Sequence, residues 1–151
     1  INVDYILLLV QKYRDERGDG DDKEIRAEIT RAVNASPSLR DKRDLIQDFV
    51  DSLSADGSVD DEWLAFITAR RDAELEAIIT REGLRPEPTQ AFVRAAFRDG
   101  AVQATGTAIT KVLPPVSRFA GDGAHADKKA RVISALKAHV ERFLGLGSSG
   151  A

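Results

Sequence analysis

Cysteine is missing from this 151-residue chain, which excludes a disulfide scaffold, a thiolate zinc site, an iron–sulfur cluster and a cysteine nucleophile. Methionine is missing too, even at position 1, so the chain reads as a piece cut from a longer polypeptide. Histidine occurs only as His125 and His139, and aromatic residues make up 6% of the chain. The two histidines lie fourteen residues apart, about 21 Å along a helix, too far to share one metal ion or one proton relay. They read as two surface or rim side chains. No apolar run approaches the ~20 residues that a membrane helix needs. Ile6 to Val10 is the longest at the N-terminus, and it lacks the basic leader and small-residue cleavage site of a signal peptide. The expectation is a cytoplasmic protein with no membrane partner.

Catalytic motifs are also missing. A phosphate loop needs Gly-x4-Gly-Lys-[Ser/Thr], and the stretch Gly100 to Thr107 has glycines and threonines at other spacings and no lysine. No Glu-x-Lys of a metal nuclease and no Gly-x-Ser-x-Gly elbow occurs. Asp56-Gly57-Ser58-Val59-Asp60 starts like a calcium loop, but Asp61 stands where the loop requires Gly and Ile67 where it requires Glu. Asp60, Asp61 and Glu62 read instead as first-turn carboxylates that favour a helix N-terminus. The expected catalytic, cofactor and metal sites are therefore none.

What is present is helical material. Apolar residues form 42% of the chain and charged residues 31%, with a net charge of −3, enough of both for a globule with its own core. Apolar positions recur at helical spacing almost throughout, and no segment sustains period-two alternation. Helices are expected over about Val3–Arg17 (capped by Asn2), Asp22–Asn34, Pro37–Leu53, Asp60–Arg81, Pro86 or Pro88 to Asp99, Ala108–Val112 and His125–Leu144. Ile25, Ile29, Ala32 and Val33 form the stripe of the second, and Trp63, Leu64, Ile67 and Leu75 face inward in the fourth. Gly18-Asp19-Gly20, Ser36-Pro37, Gly83, Gly100 and Pro114-Pro115 punctuate them. The first helix is apolar all round its middle, which implies burial on several sides or a face kept for a partner. The fold class is all-α: a single irregular bundle of six or seven helices over residues 1–151, with a Pro-rich loop before the last helix and a flexible tail over residues 145–151.

Charge is unevenly spread. Residues 1–100 carry 15 basic and 22 acidic side chains, whereas residues 101–151 carry 7 and 3. Within that basic third, Lys128, Lys129 and Arg131, with Lys137 further on, are the cations least neutralised by neighbours. They are the candidates for touching a DNA backbone, which would be non-specific and salt-dependent. A helix-turn-helix is not supported: Ala96-x3-Gly100 begins one, but Gly106 occupies an apolar position. A second candidate lies in Leu113-Pro114-Pro115-Val116-Ser117-Arg118-Phe119. Two prolines stiffen it, and arginine and aromatic side chains are the types that anchor interfaces, so Pro114, Pro115, Arg118 and Phe119 form a candidate docking edge.

Several strings then carry a family likeness. Val3-Asp4-Tyr5-Ile6-Leu7-Leu8-Leu9 resembles the start of the C-terminal helical domain of the restriction (motor, R) subunit of type I restriction–modification enzymes. Ser38-Leu39-Arg40-Asp41-Lys42-Arg43-Asp44-Leu45-Ile46, Ala96-Phe97-Arg98-Asp99-Gly100, Thr105-Gly106-Thr107 and Leu113 to Phe119 follow in the same order and spacing. The likeness runs from Val3 to about Leu146. It implies a parent subunit with a nuclease domain and two helicase-like motor domains that use ATP and magnesium, none of which lies in this fragment. It further implies an accessory role, attaching the motor to the methyltransferase and specificity subunits. The partners expected are those subunits and the remainder of the motor subunit. The alternative is a module that binds double-stranded DNA non-specifically.

Overall fold

Eight helices and no strand occur among the described residues of the computed structural model, which are 3–16, 22–53, 57–103, 106–114 and 122–146. They are α1 (Val3–Glu16), α2 (Asp22–Ala35), α3 (Pro37–Arg40), α4 (Arg43–Ser52), α5 (Val59–Glu82), α6 (Pro86–Asp99), α7 (Gly106–Val112) and α8 (Asp122–Phe143). The all-α expectation is met. Asn2, Arg17, the Gly18-Asp19-Gly20 loop, Asp56, Thr105 and the side chain of Ile25 lie outside the described residues.

The count exceeds the sequence reading because Pro37–Leu53 forms two helices rather than one. Arg40 to Asp44 contains no apolar side chain, so nothing pulls that turn onto a core. The Lys42 amide closes a tight turn on the Leu39 carbonyl at 2.9 Å, and the Ile46 amide restarts the helix on the Lys42 carbonyl at 3.1 Å. Pro37 occupies the first turn of α3, where its missing N–H costs nothing.

The chain divides into two compact units, Ile1–Phe66 and Ile67–Ala151. In the first, α2 packs against α1, α3 and α4. Ile6, Val10, Ile29, Val33, Leu45 and Phe49 are among its fully covered side chains. Phe49 lies edge-on to Trp63, with ring centroids 4.9 Å apart and planes at 78°, the arrangement that ring quadrupoles favour. The apolar middle of α1 is buried on several sides, through Ile6, Leu7, Leu9 and Val10, while Leu8 is 69% exposed. One expectation is corrected: Leu64 does not face inward; it is 39% exposed, because one residue step turns it about 100° away from the buried Trp63. Polar ties also hold this unit. Arg14 donates to the Gly57 carbonyl and the Glu62 carboxylate, Arg26 pairs with Asp51, and Gln47 Nε2 donates to Thr30 Oγ1 at 2.7 Å.

In the second unit, α6 packs against α7 and α8, around Leu75, Ile79, Val93, Ile109, Val132 and Leu136. Its helix ends follow backbone stereochemistry. Gly83 (φ 64°) and Gly100 (φ 77°) are left-handed; the Leu84 and Ala101 amides then reach back to the Ile79 and Ala96 carbonyls at 2.9 and 3.1 Å, as glycine-capped helices do. The Arg85 amide donates to the Val112 carbonyl at 3.1 Å, tying the start of α6 to the end of α7. Of the tail expected over residues 145–151, two residues are described. Gly145 (φ 78°) turns the chain so that Leu146 is 4% exposed, and residues 147–151 lie outside the described set.

Candidate functional site

Helix α8 carries the basic group, and the fold separates its members. Lys128 and Lys129 are half-buried, and Arg131 and Lys137 are exposed. Arg131 is not a spare cation: its Nε–H points at both oxygens of Glu82, at 2.9 and 3.1 Å. Glu82 is 5% exposed, and a carboxylate so placed needs that partner. Lys137 follows Lys128 by nine residues, which at about 100° per residue turns it to the opposite side of the helix. Lys128, Lys129 and Lys137 thus share no single face.

Of the proline-containing edge, Pro114 is half-buried and follows Leu113, which is 4% exposed. Pro115, Arg118 and Phe119 lie outside the described residues.

The largest departure from the sequence reading concerns histidine. His125 is half-buried, but His139 is not a rim residue; its side chain is fully covered. Its Nδ1 lies 3.0 Å from Glu74 Oε1 on α5. A carboxylate only accepts, so the proton sits on Nδ1 and the imidazole donates. Burial pushes His139 below the ordinary imidazole range, with Glu74 pulling the other way. Arg142 Nε approaches the second oxygen of Glu74 at 3.5 Å. Phe97 and Phe143 flank the imidazole, with centroids 5.9 and 5.3 Å away, and Arg71 lies over the Phe97 ring at 5.5 Å. Nε2 has no hydrogen-bond partner among the described residues. A signal for this burial was available: His139 follows Val132 by seven residues and precedes Phe143 by four, so it lies on the same apolar stripe.

Beside this cluster, α5 and α6 form the walls of a cleft of about 630 Å³. Leu75, Ile79, Val93 and Phe97 line it, with Arg71, Asp72 and Glu76 from α5 and Gln90 and Arg94 from α6. Thr80 supplies the lining's one hydroxyl. The arrangement suits binding: an apolar base between charged walls, with an imidazole held by a carboxylate between helices. Among the described residues no group of three or more histidine, aspartate or glutamate side chains is placed to hold a metal ion. No described helix is long and apolar enough to cross a membrane.

Fold and site together define an all-helical domain whose buried ionisable groups are engaged in joining one helix to another. A family model described as "Type I restriction and modification enzyme - subunit R C terminal" matches residues 1–143. The chain belongs to that family: it is a C-terminal domain of the R subunit of a type I restriction–modification enzyme. No curated protein matches the chain. Being part of a type I R subunit implies a complex with other subunits.

Proposed function

We propose that this chain acts as one non-catalytic assembly domain, docking the R subunit onto the methyltransferase and specificity subunits. Membership of this family of C-terminal domains over residues 1–143 carries the reading. The engagement of His139, Glu74, Arg131 and Glu82 in helix-to-helix pairing supports it, since these groups serve cohesion. Nuclease and motor chemistry, with ATP and magnesium, belongs to the rest of the motor protein, and the domain needs no cofactor of its own. Its setting is the cytoplasm. Pro114, Pro115, Arg118 and Phe119 are one docking edge in this proposal. Binding of a DNA backbone is the weaker alternative, because Arg131 is committed to Glu82 and Lys137 turns away from Lys128.

Size-exclusion chromatography tests the proposal. The full R subunit is expected to co-elute with the other subunits, and a subunit ending before Val3 is expected not to. Undiminished assembly of the shortened subunit would defeat the reading. If charge reversal at Lys128 and Lys129 cut DNA affinity of the R subunit while assembly stayed intact, the DNA alternative would replace it.

A further inference from the structure

We draw no further inference here: the strongest candidate, the cleft between α5 and α6 beside His139, carries none because both walls hold arginine, Arg71 next to Asp72 and Glu76 on one and Arg94 on the other, its apolar floor is already covered, and nothing in the structure shows what occupies it.

Discussion

Arg131 and Glu82 form the strongest-looking ionic contact of the second unit, with the arginine Nε–H shared between both carboxylate oxygens at 2.9 and 3.1 Å. The two ends differ in setting: the Arg131 side chain is 58% exposed, and that of Glu82 is 5% exposed. The carboxylate bears the cost of burial, and the arginine relieves it while its own stem reaches water. Arg131→Ala is expected to destabilise the protein by about 1–3 kcal/mol, the penalty of a buried acceptor that loses its hydrogen-bond donor and keeps only Arg81, 3.7 Å away. Lys137→Ala, on an exposed position, is expected to fall within about 0.5 kcal/mol of the parent. Urea denaturation compares them. Equal effects would show that Glu82 finds another partner.

His139 sets a pH dependence. Burial holds its folded-state pKa below the ordinary value of 6.5, so on acidification the unfolded chain takes up the proton first. The stability owed to the neutral imidazole is complete above about pH 6.5 and is lost as pH falls toward the folded-state pKa. Urea midpoints measured downward from pH 7 are expected to fall in that window. His139→Leu removes the group and should flatten the slope. An equally steep slope in the variant would assign it to other groups.

Gly100 isolates a backbone effect. Its φ is 77° and a Cβ added there would meet nothing within 4 Å, so Gly100→Ala changes conformational strain without a clash. A loss of about 1–2 kcal/mol is expected, the cost of an L-residue held left-handed. Thermal denaturation with an unchanged midpoint would mean that the α6 terminus rearranges freely.

Neighbouring leucine and isoleucine side chains of α1 should differ sharply. Ile6 is 1% exposed and Leu8 is 69% exposed. Ile6→Ala is expected to cost about 2–5 kcal/mol through the cavity it leaves, and Leu8→Ala less than about 0.5 kcal/mol. Chemical denaturation of both variants decides. A large loss for Leu8→Ala would place it under cover.

Much of the helical layout was legible because the rules that end helices act over one turn. Pro86 and Gly100 bracket α6 where proline is tolerated and where glycine relieves a left-handed residue. The break at Asp41-Lys42 was missed because the apolar residues on either side, Leu39 and Ile46, sit at a spacing that one continuous helix would also satisfy. The candidate site was less legible. Its lining residues on α5 and on α6 each follow helical spacing, but nothing in either helix says that the other faces it.

Residue order alone was enough for the helical class and the glycine and proline stops, since each depends on residues within about one helical turn, and for the family, which rests on strings in a fixed order along the chain. Folding in three dimensions chose the partners: Glu74 for His139 across 65 positions and Glu82 for Arg131 across 49. The physical reason is range. Backbone stereochemistry and periodicity are local, whereas the cost of burying a charge depends on which distant group comes within 3 Å of it.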